Sequence, residues 1–298
     1  MTLPLLGITI GDPAGVGPEV VLKALHDGAV HERARVVVLG ERRSLEHYRR
    51  SLGLEIELRA VASPADARPR RGAIDVLEVS ASPATVVPGR VDAECGRVAG
   101  EALVAGGRLC AEGRLDGLVT APVHKAALHA AGYRVEGQTE LLGELWGGGR
   151  YGMLVVADAL RVLLLTRHLP LREALARVTT DGVADHLQLL HDTLLRFGVA
   201  KPSMAVAGFN PHAGEGGLFG TEDADILAPA VTAARARGLL AHGPLPADSL
   251  FARAARGEFD GVLSLYHDQG LIAAKAVAFE RAVTVLAGAR FLRVSVIH

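Results

Sequence analysis

Three histidines occupy similar places relative to apolar runs of the sequence. His168 ends the run LRVLLLTRH, His212 closely follows PSMAVAGF, and His267 ends GVLSLYH. Such runs are typical of buried strands. Three neutral imidazoles that leave room for water or substrate are the ligands of an open catalytic metal site, best suited to zinc or a similar first-row ion. The placement therefore predicts such a site, although any one of these residues alone is more often structural and only the fold decides whether they converge.

The stretch 208–223, GFNPHAGEGGLFGTED, surrounds the second of these histidines. Ordering a loop so rich in glycine costs much conformational entropy. Loops at the carboxyl ends of strands are also where α/β proteins hold their ligands. We therefore interpret the stretch as part of a functional site rather than as a flexible surface turn.

Lysine is rare in this chain: only four of the 32 basic residues are lysine. Burial can lower the pKa of a lysine but leaves arginine charged. In a chain whose basic residues are mostly arginine, a lysine can therefore be present for a chemical role. This argument selects Lys125 and Lys275. Lys125 and Asp248 are candidates for a general base, and each also has a plain structural interpretation.

Two other groups of polar residues stand at predicted helix starts. Gln138 and Thr139 enter a helix whose backbone N–H groups favour an anion such as phosphate; the alternative, that Thr139 only caps the helix, fits the pattern equally well. Asp12 lies in the turn GDPAGVG after the first predicted strand and Glu19 follows this turn, and both are placed for a ligand. The glycine spacing of this turn does not match a dinucleotide-binding fingerprint.

Strands and helices alternate through almost the whole chain, which favours an α/β fold. The runs YGMLVVAD and LRVLLLTRH are predicted to form neighbouring antiparallel strands, and a long helix is predicted over 171–197. After the run GVLSLYH, the residues from His267 to Gln269 are predicted to form a turn that Gly270 closes. These elements must position the candidate residues.

Length and composition limit the class of protein. A chain of 298 residues favours two lobes. With 49% hydrophobic residues, 22% charged residues and a net charge of −1, we expect a soluble, cytoplasmic protein that binds neither nucleic acid nor membrane. Cys95 and Cys110 match no zinc or disulfide spacing and are predicted to be packed free thiols.

The motifs GDPAGVGPE, TAPVHK, GFNPHAGEGGLFGTED and YHDQG, in this order, resemble those of the 4-hydroxythreonine-4-phosphate dehydrogenase family. The likeness runs nearly end to end. It implies a fold similar to isocitrate and isopropylmalate dehydrogenases, with two α/β/α lobes and an active site in a cleft at the interface of a homodimer. The implied lobes are residues 1–130 with 255–298, on the cofactor side, and 131–254, on the side of the metal, the substrate and the dimer.

The resemblance also implies the roles of particular residues. His168, His212 and His267 match the family's metal ligands, the last supplied by the partner subunit, for a divalent ion that we expect to be zinc, with magnesium or cobalt as alternatives. The substrate-binding positions are matched by a second set: Gln138, Thr139, Lys275, Thr284 and Arg293. The family oxidises 4-phosphohydroxy-L-threonine with NAD or NADP and decarboxylates the product to 3-amino-2-oxopropyl phosphate, on the route to pyridoxal phosphate.

Two departures from the family bear on the substrate. The family usually has His where this chain has Gln138, and Asn where it has Thr284. We expect Gln138 to lie beside the substrate phosphate, so that Gln138→His would tighten binding below about pH 6.5, where histidine gains charge. The alternatives are a related dehydrogenase acting on a threonate or erythronate 4-phosphate or on a cyclic dihydrodiol acid, and a metal-binding protein without turnover.

Overall fold

The computed structural model of the protein describes residues 3–81 and 83–297. These residues form two compact units. The first unit comprises residues 3–148 and the segment Ala289–Val296, and the second comprises Gly149–Gly288 with Ile297. Each unit contains a sheet with helices packed on it, so the mixed α/β architecture expected from the sequence is confirmed.

The strands and helices of both units alternate along most of the chain. In chain order they are β1 Leu5–Thr9, α1 Gly17–His26, β2 Arg35–Gly40, α2 Arg42–Ser51, β3 Glu57–Ala60, β4 Ala73–Glu78, α3 Ala93–Ala111, β5 Gly117–Thr120, α4 Lys125–Ala130, α5 Gln138–Trp146, β6 Gly152–Ala157, β7 Leu160–Leu164, α6 Leu171–Ala176, α7 Thr180–Arg196, β8 Ser203–Ala207, α8 Ala228–Ala236, β9 Leu240–Leu245, α9 Ala247–Ala255, β10 Gly261–Ser264, α10 His267–Ala278, β11 Val283–Ala287 and β12 Leu292–Val296. None of the helices in the described residues combines the length and the apolar character that crossing a bilayer requires.

The two units differ from the lobes that the resemblance implied. The structure places residues 131–148 in the first unit and 255–288 in the second. Helix α5 packs on α3 and so stays with the first unit. Strands β10 and β11 pair with β7 and β6, which keeps them in the second unit.

The sheet of the first unit is parallel throughout, in the order β3-β4-β2-β1-β5-β12. Because the strands run in one direction, their carboxyl ends lie at one edge, where α/β sheets bind ligands. The turn after β1 and the segment after β5 meet at this edge, since the Asp12 N–H donates to the Pro122 carbonyl over 3.1 Å. A side chain on Gly11 would collide with the same carbonyl, and this close approach explains the glycine.

The sheet of the second unit has the order β11-β6-β7-β10-β8-β9. Strand β6 is antiparallel to β7, as predicted, and also to β11. Strands β7, β10, β8 and β9 are parallel to one another, and β7, β10 and β8 are consecutive neighbours. The carboxyl ends of these three strands therefore share one edge of the sheet.

Two local predictions for the second unit are wrong. The long helix expected over 171–197 is two helices, because Thr179 caps the second one by accepting a hydrogen bond from the Gly182 N–H over 3.1 Å. The turn expected at His267 is the first turn of α10. Gly270 lies inside that helix, where a Cβ would approach the Ser264 Oγ to 2.6 Å, so this glycine permits close helix–sheet packing and closes no turn.

Candidate active site

The three candidate histidines follow the carboxyl ends of three neighbouring strands of the second unit. His168 comes after β7, His267 after β10, and His212 after β8. Since β7, β10 and β8 are parallel and adjacent, the fold delivers all three to the same edge of the sheet. The sequence could not show this adjacency, because the three strands are far apart along the chain.

His168 and His267 lie next to each other. Their ring centroids are 5.6 Å apart with an interplanar angle of 44°. Both rings line a cavity of about 220 Å³ that Tyr266 and Asp268 also border. The His267 Nδ1 lies 2.7 Å from Asp268 Oδ1. A carboxylate that accepts from one ring nitrogen orients the imidazole and directs the other nitrogen to a metal.

His212 lies on a strained turn after β8. Its backbone has φ 54° and ψ 26°, and Ala213 and Glu215 are also left-handed, at φ 53° and 43°. This conformation costs about 1–2 kcal/mol for each residue other than glycine. The His212 ring contacts Phe219, with 6.0 Å between the ring centroids. Such strain persists only where the surrounding structure holds it, and it is concentrated at functional sites.

The donor set of the two adjacent rings suits a divalent ion. Imidazole nitrogens bind zinc at about 2.0–2.1 Å, and in the site that the resemblance implies, His267 would bind an ion that is also held by His168 and His212 of the partner subunit. Within one described chain, the ligand atoms of His168, His212 and His267 do not all come within 4.8 Å of one another. The complete three-histidine site therefore stays a prediction.

Arg293 is the largest fully buried side chain of the first unit and is only 1% exposed. Its Nε and Nη2 donate to the Thr120 Oγ1 over 3.0 and 2.6 Å, and its Nη1 donates to the Thr139 Oγ1 over 3.1 Å. Burial lowers the pKa of Arg293 to about 10, partly offset by the negative charge of Glu140. Arg293 makes no ion pair with a carboxylate among the described residues. A buried cation whose hydrogen bonds go to neutral hydroxyls, with Glu140 acting on it through charge alone, is costly and is suited to an anionic ligand.

The contacts of Thr139 decide between its two predicted roles. The residue before α5 is Gly137, which has no side chain to cap the helix, and Thr139 lies inside the first turn. Its hydroxyl accepts from Arg293, so the interpretation of Thr139 as a helix cap is wrong. A Cβ on Gly137 would lie 3.9 Å from the Lys125 Cε, which shows that Lys125 reaches the start of α5.

Gln138 is 9% exposed and presents an unpaired acceptor. Its Nε2 donates to the Ser295 Oγ over 3.4 Å, and that hydroxyl donates to the Thr120 carbonyl over 2.9 Å. The single hydroxyl proton of Ser295 is thereby used, so the amide must direct its NH₂ group toward Ser295. The Gln138 Oε1 is buried and has no hydrogen-bond partner among the described residues. Gln138 therefore offers an acceptor to a ligand, although we expected it to lie beside the substrate phosphate, which also accepts hydrogen bonds.

Thr120 and Ser295 were missed by the sequence argument. Ser295 lies two residues after Arg293 on β12 and so shares its face of the strand. The parallel register of β12 with β5 places Ser295 opposite Thr120. The position of Thr120 in the motif TAPVHK, at a strand's carboxyl end, was the available signal.

The remaining candidates of the second unit lie on three different elements. Asp248 is exposed in the first turn of α9, where its Oδ1 accepts from the adjacent Ser249 N–H over 2.9 Å. Lys275 lies on α10 with its Nζ 5.4 Å from the centroid of the Phe279 ring. Thr284 is buried on β11. The substrate-binding set predicted from the resemblance is thus divided, with Lys275 and Thr284 in the second unit and the other three members in the first.

Asp12 and Glu19 have different environments. Asp12 is buried, and its Oδ1 accepts from the Ala14 N–H over 2.8 Å. Burial raises the pKa of this carboxyl, and the Ala14 N–H and His124 oppose the increase. Glu19 pairs on the helix surface with Lys23. Asp12 therefore fixes the turn after β1, and Glu19 stabilises α1.

Comparison with known proteins agrees with this architecture. Residues 32–298 match the family described as Pyridoxal phosphate biosynthetic protein PdxA. D-threonate 4-phosphate dehydrogenase of Cupriavidus necator is 41% identical over 99% of this chain and 89% of its own length. 4-Hydroxythreonine-4-phosphate dehydrogenase of Beijerinckia indica is 39% identical over 98% and 86%. The crystal structure of 4-hydroxythreonine-4-phosphate dehydrogenase from Klebsiella pneumoniae has a TM-score of 0.91 and 38% identity, and the match covers 100% of this chain and 90% of that one. From the matched family and these full-length relatives, we conclude that the chain is a dehydrogenase of the PdxA family.

Proposed function

We propose that the protein oxidises the C3 hydroxyl of a 4-phosphorylated, four-carbon hydroxy acid and then decarboxylates it, with D-threonate 4-phosphate as the first candidate substrate. The observation that carries this proposal is Arg293, a buried cation without a carboxylate partner among the described residues. A phosphate or carboxylate of the substrate would supply that partner through charge-assisted hydrogen bonds. The similarity to D-threonate 4-phosphate dehydrogenases and the replacement of the family's usual histidine by Gln138 support this first candidate.

The reaction balances with one nicotinamide cofactor. The hydride of C3 passes to NAD or NADP, and the C3 hydroxyl proton passes to a base. The resulting β-keto acid loses carbon dioxide as the C1–C2 bond breaks, and C2 is then protonated. From D-threonate 4-phosphate these steps leave dihydroxyacetone phosphate. We propose that the cofactor binds at the carboxyl edge of the first unit's sheet; the meeting of the turn after β1 with the segment after β5 supports this location, since such edges bind ligands in α/β sheets.

The histidines of the second unit would hold the divalent ion, with zinc as the first candidate. When bound, the ion polarises the substrate hydroxyl and stabilises the negative charge that develops on its oxygen. Asp268 holds the His267 ring by accepting from its Nδ1, and this leaves Nε2 for the ion. In the homodimer that we propose, His267 acts with the His168 and His212 of the partner subunit.

Lys125 and Asp248 remain the two candidates for the base that takes the hydroxyl proton. Lys125 reaches the start of α5, beside Gly137. Asp248 is exposed on α9. The variants Lys125→Met and Asp248→Asn separate them: loss of the base lowers kcat and removes one limb of its pH profile, whereas loss of a structural residue leaves the profile unchanged.

A second candidate substrate, 4-phosphohydroxy-L-threonine, is favoured by one observation. Glu140 is buried in the first turn of α5, and its charge acts on Arg293. A carboxylate in this place suits the ammonium group that distinguishes this substrate from threonate. Its product would be 3-amino-2-oxopropyl phosphate.

The test is reduction of NAD and NADP by the two phosphorylated substrates and by their unphosphorylated analogues. The proposal predicts the highest kcat/KM for D-threonate 4-phosphate and a loss of at least about a hundredfold without the phosphate. A higher value for 4-phosphohydroxy-L-threonine would exchange the two candidates. Equal values with and without the phosphate would refute the 4-phosphate assignment.

A further inference from the structure

The turn that carries His212 needs an external support. Within the segment Pro211–Gly217, five consecutive residues from His212 to Gly216 have left-handed backbone angles, and three of them are not glycine. Residues with a Cβ do not hold this conformation unaided. A contact that fixes the entry to the segment therefore controls where the His212 ring points.

Asp223 makes this contact. It is 2% exposed and lies beyond the turn, at the start of the helical segment that leads into α8. Its Oδ1 accepts from the Phe209 N–H over 2.7 Å, and its Oδ2 accepts from the Asn210 N–H over 2.9 Å and from the Asn210 Nδ2 over 3.1 Å. Both carboxylate oxygens are thus bonded to the two residues that precede Pro211.

The hydrogen bonds of Asp223 are strong enough to stabilise a strained segment. Each joins a charged acceptor to an N–H group, and such bonds are shorter and stronger than neutral ones. Two of them end on the backbone, so the side chains of Phe209 and Asn210 can vary without loosening them. The neighbouring Glu222 accepts from the Asn210 side chain over 2.7 Å.

We infer that Asp223 is a positioning residue for His212 and, through it, a determinant of the protein's affinity for a divalent ion. This role rests on the proposed function, because it requires that His212 binds the ion. Asp223 itself points at the backbone of the loop and is not a ligand. Its replacement should therefore weaken ion binding without removing a donor atom.

Asp223→Asn tests this role, with Asp225→Asn as the matched control. Asparagine keeps the size of the side chain but turns one acceptor into a donor that opposes an N–H group. Asp225 is exposed, two residues farther along, so its replacement removes the same charge without these bonds. The readout is the dissociation constant of Zn²⁺ from metal-free protein, measured by competition with a chromophoric chelator, and the absorption spectrum of bound Co²⁺.

We expect Asp223→Asn to weaken Zn²⁺ binding by about tenfold to a hundredfold and to change the Co²⁺ spectrum, as loss of an orienting contact does at metal sites. Asp225→Asn should leave both unchanged. Asp223→Glu keeps the charge but displaces the carboxylate, so its affinity should be intermediate. This second variant keeps the inference testable if Asp223→Asn does not fold.

A double-mutant cycle distinguishes positioning of His212 from a general loss of structure. If Asp223 acts through His212, then adding Asp223→Asn to a His212→Ala protein should cause no further loss of Zn²⁺ affinity. Equal losses in both backgrounds, or unchanged affinity in Asp223→Asn, would overturn the inference. Wild-type protein that binds no divalent ion would instead refute the proposed metal site, and this role with it.

Discussion

Replacement of Arg293 by methionine should separate ligand binding from stability. Burial lowers the pKa of Arg293 from its ordinary value in the unfolded chain to about 10. At 1.36 kcal/mol per unit, the charged form costs on the order of 3 kcal/mol in the folded, ligand-free protein. Neutral pH lies below both values, so the arginine is charged in the folded and the unfolded chain and the cost is fully present. Methionine removes this cost but also removes the donors to Thr120 and Thr139.

The two effects on stability oppose each other. We expect the free energy of unfolding to change by less than about 2 kcal/mol, compared with the loss of about 3–5 kcal/mol when a buried ion pair is broken. For substrate binding, in contrast, Arg293→Met removes a favourable contact and no opposing gain offsets the loss. A guanidinium bond to a phosphate or carboxylate contributes about 1.5–3 kcal/mol, so loss of a two-bond contact should lower kcat/KM by at least about a hundredfold.

Urea unfolding and NAD(P) reduction with both candidate substrates measure the two quantities. Arg281→Met is the control, because Arg281 forms an exposed ion pair with Asp158; its kcat/KM should stay within about twofold and its stability within about 1 kcal/mol. Arg293→Met protein with kcat/KM within about threefold of wild type would refute anion binding by Arg293. A loss of stability above about 4 kcal/mol would show instead that Arg293 is chiefly structural.

Three further predictions concern assembly, thiols and pH. Mixing inactive His168→Ala and His267→Ala proteins should restore activity in mixed dimers if the site is shared between subunits; no recovery after verified subunit exchange would contradict sharing. Burial raises the pKa of Cys95 and of Cys110 to about 12, so both thiols should react slowly with a disulfide reagent in native protein and rapidly in urea, and fast native reaction would contradict their burial. Burial lowers the pKa of His186 below 6.5, so the unfolded chain binds the proton more readily and stability should fall as pH decreases through that value. His186→Gln should flatten this dependence in urea titrations, and an unchanged slope would count against it.

The sequence predicted the strand-end histidines because the signal is local. Each of His168, His212 and His267 follows an apolar run, and a run of this kind identifies a buried strand without reference to the rest of the chain. Which strands are neighbours depends on pairing between distant segments. The adjacency of β7, β10 and β8 therefore came only from the structure.

The orientation of the Gln138 amide could not be predicted from the sequence. A glutamine can donate or accept, and its residue type does not say which group faces a ligand. Here the choice is made by the Ser295 hydroxyl, which is already committed to the Thr120 carbonyl. That relay depends on the register of β12 against β5, which links residues more than a hundred positions apart.

The predicted division into lobes and the predicted turn at the start of α10 differ from the structure for a related reason. The sequence predicts Gly270 as a turn residue, whereas in the structure it lets α10 approach Ser264 closely. Helix α5 was assigned to the other lobe, although its packing on α3 holds it in the first unit. Both features depend on packing partners that a linear pattern does not contain.

In the proposed function, turnover of a 4-phosphorylated hydroxy acid requires a divalent ion held by the strand-end histidines. Its most direct test is the rate of NAD(P) reduction by D-threonate 4-phosphate in protein stripped by a chelator and then titrated with Zn²⁺. We expect no turnover in the stripped protein and a recovery that saturates at about one ion per chain. Full activity in protein verified to be metal-free would contradict it.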